Sequence, residues 1–352
     1  MKARRSISLV LALLLAGAAA VQATAGTARW AASPLGDVLG DALSNESRFE
    51  VRAAAATSLT LSQVSSTIYE LSGVEVTGLG NAANAALEQE LRGQLQNLQD
   101  LGESQGRTAR LTVERRTPAG TEISTRWAEG AGTEGAAGEG AASLTELLLP
   151  GGAGGAVAVS PRSVSDGVSS SISSRAALPS LLQGTPYGAA LVAGDRVSSV
   201  TEQALGGTFG QLLAAAPALI SWNLPRPETA GLPPLQITQE RVYQGQNSRG
   251  EYLFQTQSHA EPWQQTLGGA RNEKGEQGRL TLEVLDMARM SQAVYRADGL
   301  PASSFEFSTL QLQITAQQGA AQVRFTVQVR STAAVRPLGT PLGALQSPAI
   351  WG

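Results

Sequence analysis

The clearest pattern in the chain is the alternation of apolar and polar residues between Ser304 and Ser331. Two runs of alternation flank a break at Gln317–Gly319, and their apolar members are Leu310, Leu312 and Ile314, then Val323, Phe325, Val327 and Val329. Strict alternation places one side of a strand in the core and the other in water. The two runs therefore predict a long antiparallel hairpin with one apolar face.

The phase of this alternation changes at Ser308–Thr309. Phe305 and Phe307 are apolar at odd positions, whereas the apolar residues that follow, from Leu310 onward, are at even positions. One inserted residue would return both sets to the same face of the sheet. We therefore expect a β-bulge at Ser308–Thr309, with both phenylalanines on the apolar face.

Similar alternation recurs in the first third of the chain and between residues 235 and 296. Two stretches have a helical pattern instead: leucines recur at helical spacing over residues 81–101, and an apolar segment from Phe209 to Ile220 is interrupted by Pro217. These elements predict a mainly β (α+β) fold, in which a long antiparallel meander curls into one or two half-barrels with one or two packing helices.

Composition divides the chain further, because a Gly, Ala and Ser-rich middle region and a Pro-rich stretch separate the segments with strong alternation. The predicted parts are a signal peptide (1–25), an N-terminal β-rich segment with its helix (26–128), the middle region (129–223), a linker (224–234), a C-terminal meander (235–332) and a loose tail (333–352).

The first residues have the pattern of a secretory signal. Lys2, Arg4 and Arg5 precede an apolar run that ends in small residues near Ala23. The run is shorter than a spanning helix requires, and no cysteine follows it to take a lipid anchor. We expect an exported protein, periplasmic or outside the cell, without a transmembrane anchor after signal cleavage.

Charge and composition exclude several kinds of chemistry. The chain has a net charge of −3, no cysteine and one histidine. A mildly acidic chain has no electrostatic reason to bind nucleic acid, and these residues form neither a disulfide framework nor a multi-histidine metal centre. The sequence predicts no cofactor and no metal.

A catalytic motif occurs at Gly102–Gly106, which matches the G-x-S-x-G nucleophile elbow with Ser104 as the nucleophile. Asp195 and His259 follow in the chain order of an α/β-hydrolase triad. The elbow requires a strand before the serine and a helix after it. The sequence predicts the reverse order here, so a serine hydrolase is the least favoured interpretation.

Three further features point to a family. These are the Gln-rich strands, a Gly-Asp-Arg at 194–196 and the turn Tyr295–Pro301. Together with the signal peptide, they give a chain that resembles exported bacterial β-rich proteins of periplasmic lipoprotein-carrier-like architecture. The resemblance implies binding of a lipid or another hydrophobic molecule without catalysis.

The sequence therefore suggests a non-catalytic exported protein whose curved sheet binds an apolar ligand or another envelope component. Aromatic side chains on the predicted apolar face are the candidate lining residues: Tyr252, Phe254, Phe305, Phe307 and Phe325. These aromatics could instead fill a closed core. A second hypothesis is a structural or interaction protein of the cell envelope that uses its sheet edges and Gln-rich faces.

Overall fold

The computed structural model of the protein describes residues 47–96, 98, 103–117, 120–129, 142–148, 159–161, 187–271 and 275–338. The predicted signal peptide and most of the Gly-rich middle region lie outside the described residues. So does the part of the predicted tail that follows residue 338.

Antiparallel strands dominate the structure, which confirms the predicted mainly β fold class. The strands are β1 (Ser47–Arg48), β2 (Ser58–Thr77), β3 (Glu103–Thr117), β4 (Gly120–Glu129), β5 (Ala142–Leu148), β6 (Val159–Pro161), β7 (Ala190–Leu191), β8 (Arg196–Gln203), β9 (Leu235–Gln246), β10 (Tyr252–Ala260), β11 (Trp263–Arg271), β12 (Gln277–Tyr295), β13 (Pro301–Gln318) and β14 (Ala321–Pro337).

Two α-helices accompany the strands, α1 (Asn81–Gln96) and α2 (Gly206–Ala214). Short 3₁₀ helices follow at Pro217–Trp222 and Pro227–Thr229. The helix predicted over 81–101 is confirmed from Asn81 to Gln96, and residues 97 and 99–101 lie outside the described residues. Pro217 interrupts the second apolar segment as expected, because it starts a 3₁₀ helix just after α2 ends.

Twelve strands form one sheet in the order β6-β5-β4-β3-β2-β14-β13-β12-β10-β9-β8, and β11 pairs with β12 beyond the end of β10. Strands from both halves of the chain meet in it, because β2 pairs along its length with β14. β14 continues to Pro337, past the point where the sequence predicts a loose tail. Among the described strands the sheet does not close on itself.

The predicted bulge at Ser308–Thr309 is absent from β13. Its pairing with β14 runs without a shift from Ser304↔Val335 to Gln318↔Ala321. The pairing of β13 with β12 shifts twice, once at Leu285 of β12 and once at Ala302 near the start of β13. Because β13 has no inserted residue between Ser304 and Gln318, Phe305 and Phe307 point to the opposite face from Leu310 and Ile314.

We call the face that carries the core the inner face, and its reverse the outer face. A first apolar cluster lies on the inner face at one end of the long strands, with Ile314, Phe325 and Val327 among its members. The leucines of α1 and Phe209 of α2 cover it. Gly278 allows the segment after Pro217 to pack closely, because a Cβ there would collide with the carbonyl oxygen of Trp222.

A second apolar cluster lies at the other end of the inner face and is rich in aromatic rings. Phe49 is fully buried, and its ring lies 4.7 Å from Tyr252, 4.8 Å from Tyr187 and 5.2 Å from Tyr295, measured between centroids. The chain then crosses this end of the sheet to β3, where the Ala56 amide donates to the Val113 carbonyl at 2.8 Å. This crossing segment (residues 49–57) covers the second cluster.

Candidate functional site: a polar waist on the inner face

Between the two apolar clusters, the inner face of six strands is polar. We call this belt the polar waist. The pairing registers place its members side by side: Ser65 and Thr67 of β2, Ser331 of β14, Glu306 and Ser308 of β13, Arg289 and Ser291 of β12, Thr256 and Ser258 of β10, and Gln239 and Arg241 of β9.

The waist begins where the inner-face residues of each strand change from apolar to polar. Along β14 the inner face changes from Val327 and Val329 to Ser331, and along β13 it changes from Leu312 and Leu310 to Ser308. The same change occurs at the same level in each neighbouring strand, so the polar positions line up across the sheet.

An ion pair lies at the centre of the waist. The guanidinium of Arg289 donates to a carboxylate oxygen of Glu306 at 2.7 Å, and their side chains are 23% and 31% exposed. The short distance is that of a charge-assisted hydrogen bond. Arg241 lies nearby on β9 and donates to the hydroxyl of Thr256 at 3.2 Å. Of the charged members of the waist, two are cations and one is an anion.

Ser258 is directly opposite Arg289 in the β10–β12 register. The serine is 6% exposed, and its hydroxyl has no hydrogen-bond partner within the part of the chain that the structure describes. Burying a hydroxyl without a partner costs about 1–3 kcal/mol. Residues directly opposite each other have Cβ atoms about 5 Å apart. The Ser258 hydroxyl therefore lies beside Arg289 and out of contact with solvent.

Other hydroxyls of the waist are paired within the protein. Thr67 on β2 is 5% exposed, and its hydroxyl lies 3.1 Å from that of Ser331 on β14. This bond fixes the two side chains across neighbouring strands. The elements that cover the apolar clusters leave Glu306, Ser308 and Ser331 only partly buried.

The outer face has the opposite character at the same level. Phe305 and Phe307 are 45% and 41% exposed there. Ala334 and Val64 continue the row from Phe305 onto β14 and β2, and Met290 of β12 is directly opposite Phe307. We call these five residues the outer patch. At the level of the waist the sheet therefore carries apolar side chains on its outer face, next to polar ones such as Gln292 and Thr332, which are directly opposite Phe305 and Phe307.

The structure separates the five aromatics that the sequence groups as one candidate lining. Tyr252 and Phe254 belong to the second cluster and Phe325 to the first, and each is about 1% exposed. Phe305 and Phe307 are on the outer face. The three buried rings fill the core, so a ligand could reach them only by displacing the residues packed against them.

The residues of the hydrolase motif are also far apart. Ser104 is exposed within β3, where it pairs with Ser66, so it does not lie on a turn between a strand and a helix. His259 is on β10, which is separated from β3 by four strands of the sheet. At roughly 4.8 Å per strand this is about 24 Å along the sheet. Asp195 precedes β8 and accepts the Val192 amide at 2.8 Å.

None of the predictions from the sequence includes the polar waist, although the sequence contains a signal for it. The phase change at Ser308–Thr309 and the run Arg330–Ala334, which lacks large apolar residues, both mark its position. Their meaning depends on the register between β13 and β14, which the sequence does not provide.

Comparison with protein-family models and with curated proteins returned no match.

Neither helix in the described part of the chain is long and apolar enough to cross a membrane. Among the described residues, the hydrogen bond from Arg115 to Glu122 raises the pKa of the arginine. Arg115 lies in the β3–β4 hairpin, outside the polar waist.

Proposed function

We propose that this is an exported, non-catalytic binding protein that holds its ligand at the polar waist. The observation that carries the proposal is the buried Ser258 hydroxyl, which lies beside the Arg289–Glu306 pair without a hydrogen-bond partner among the described residues. Buried polar atoms are almost always hydrogen-bonded. A bound ligand would supply the missing bond. Export rests on the charged and apolar pattern of the first residues.

The chemistry of the waist favours a polar ligand over the apolar one that the sequence suggests. Its side chains are hydroxyls, amides and the charged groups of Arg289, Glu306 and Arg241, which offer both donors and acceptors. Three of the five aromatics that could have lined a lipid site, Tyr252, Phe254 and Phe325, are buried in the two clusters, and Phe305 and Phe307 are on the outer face, away from the waist. We infer a ligand rich in hydroxyl, amide or carboxylate oxygens, neutral or with a small negative charge.

The two apolar clusters give the waist a rigid frame. Each strand that contributes a waist residue continues into a packed cluster, so the polar side chains stand on backbone that is held from both ends. Binding sites on strands of a rigid scaffold are held more accurately than sites on loops. The frame therefore favours a pre-formed site.

Native mass spectrometry of the protein, purified under mild conditions from its own host, tests this proposal. We expect a bound polar molecule in the wild type, which Ser258→Ala and Glu306→Gln weaken or lose. Ser66→Ala is the matched control, because Ser66 has the same hydroxyl on the outer face of β2. Wild-type protein that carries no ligand and shows no thermal shift with saccharides, short peptides or dicarboxylates would contradict the proposal.

The outer patch supports a second candidate, the interaction protein of the envelope. Exposed apolar patches on soluble proteins mark interaction surfaces, and Phe305 and Phe307 are large and adjacent on one face. A photo-crosslinking residue at position 307 tests this candidate in the host. Crosslinks from position 307 that are absent from position 311, on the same face of β13, would support it.

A further inference from the structure

Strand β8 forms one end of the sheet and differs from the other end. At the far end, β6 has three residues and finishes in Pro161, which blunts the edge. β8 has eight residues, Arg196–Gln203, with neither proline nor lysine among them. Its side chains are mostly exposed, and β9 is the one described strand that pairs with it. Such an edge is a template for another strand.

The hydrogen-bonding direction along β8 follows from one bond. The Tyr243 amide donates to the Asp195 carbonyl at 2.9 Å, which makes Arg196↔Val242 a non-hydrogen-bonded pair. Alternation then directs the backbone groups of Val197, Ser199 and Thr201 towards β9. Those of Arg196, Ser198, Val200 and Glu202 point to the open edge.

The charged residues of β8 are complementary when β8 strands from two copies of the chain pair antiparallel. In an antiparallel pair of two β8 strands centred on Ser199, Arg196 is opposite Glu202 of the other copy, and Ser198 is opposite Val200. Both charged residues are on the outer face, where Arg196 also bonds Glu240 at 3.0 Å and Glu202 accepts from Gln236 at 2.8 Å. Moving the centre by one residue in either direction separates the opposite charges.

We propose that β8 pairs with β8 of a second copy of this chain, in the register centred on Ser199. The pairing would form about eight backbone hydrogen bonds and two ion pairs between the copies. The same edge acts in both copies, so the contact is isologous and closes as a two-fold dimer. A continuous sheet would then run through both subunits.

Analytical ultracentrifugation over increasing concentrations of the wild-type protein tests the dimer, and we expect a monomer–dimer equilibrium. Val200→Pro removes an amide that points to the open edge and leaves the bonds to β9 intact. We expect this variant to sediment as a monomer with unchanged circular dichroism. Val200→Thr is the matched control, because it keeps the amide and the branched side chain, and it should still dimerise.

Charge and crosslinking variants test the register. Glu202→Arg should weaken the dimer at least tenfold, and adding Arg196→Glu should restore it. The chain contains no cysteine, so Ser199→Cys introduces a single thiol at the two-fold axis, which should form an intersubunit disulfide under mild oxidation. A wild type that stays monomeric at every concentration, or a dimer that both Val200→Pro and Glu202→Arg leave intact, would overturn the proposal.

Discussion

The polar waist and the two apolar clusters lie on the same face of the same strands, yet they have opposite character. In the clusters the inner face is filled and the outer face carries glutamine, arginine and threonine. In the waist the inner face carries Ser308, Glu306 and Arg289, and the outer face carries Phe305 and Phe307. The inversion occurs without a bulge in β13 between Ser304 and Gln318. One strand can therefore change its buried side along its length, provided that its neighbours change at the same level.

The elements that cover the sheet determine where its inner face is apolar and where it is polar. The helices and the 3₁₀ segment lie over the first cluster, and the crossing segment at 49–57 lies over the second. Apolar side chains beneath these elements gain burial free energy. These elements leave Glu306, Ser308 and Ser331 partly exposed, so those polar side chains keep access to water or to a ligand.

The largest expected effect comes from the second cluster. Phe49→Ala removes a fully buried ring that contacts four other aromatic rings, and we expect a loss of about 3–5 kcal/mol in the free energy of unfolding. Denaturant unfolding measures it. Phe305→Ala is the control, since that ring is 45% exposed and should lose less than about 1 kcal/mol. Equal losses would contradict the assignment of the two faces.

A smaller loss is expected from the ion pair of the waist. Glu306→Gln leaves the half-buried Arg289 guanidinium without its carboxylate, which should cost about 1–2 kcal/mol. A double-mutant cycle with Arg289→Gln measures the coupling from unfolding curves. A coupling free energy near zero would show that the Arg289–Glu306 pair does not stabilise the folded protein.

Two hydroxyls of the waist are expected to differ in their effect on the free energy of unfolding, and removal of one of them should be neutral or stabilising. Ser258→Ala removes a buried hydroxyl that has no partner in the described part of the chain, so the free energy of unfolding should stay constant or rise by up to about 1 kcal/mol. Thr67→Val removes the bond to Ser331 and should lose about 1 kcal/mol. If Ser258→Ala lost as much as Thr67→Val, the hydroxyl would have a structural partner and would not be a ligand contact.

The smallest effect on stability is expected at the outer patch. Phe307→Ser replaces a ring that is 41% exposed, and the unfolding free energy should change by no more than about 0.5 kcal/mol. Solubility should rise, because an exposed apolar patch promotes association. Unfolding curves and precipitation assays check both. A loss like that of Phe49→Ala would place Phe307 in a core.

Much of the fold was predictable because its signals are local. The alternation in β13 and β14 predicts their hairpin, the leucine spacing predicts α1, and Pro217 predicts the interruption after α2. The turn that the sequence indicates at Tyr295–Pro301 joins β12 to β13. Each of these depends on residues close together in the chain.

The candidate site was not predictable in the same way. Tyr252, Phe254 and Phe325 occur in alternating runs, as Phe305 and Phe307 do. The prediction of one ligand-lining surface requires that all five share one face of the sheet. The missing information was the register, since a shift of one residue reverses the face of every side chain that follows. The partnerless hydroxyl of Ser258 likewise depends on neighbours from β9 and β12.

The sequence by itself determined the mainly β class, the positions of the strongest strands and helices, and the chemistry available to the chain, because these follow from side-chain periodicity and composition. Only the tertiary structure decided that β2 and β14 unite both halves of the chain in one sheet, and that Ser258, Arg289 and Glu306 meet in a polar waist. Those outcomes depend on pairing between distant strands, whose register is set by the packing of the whole sheet.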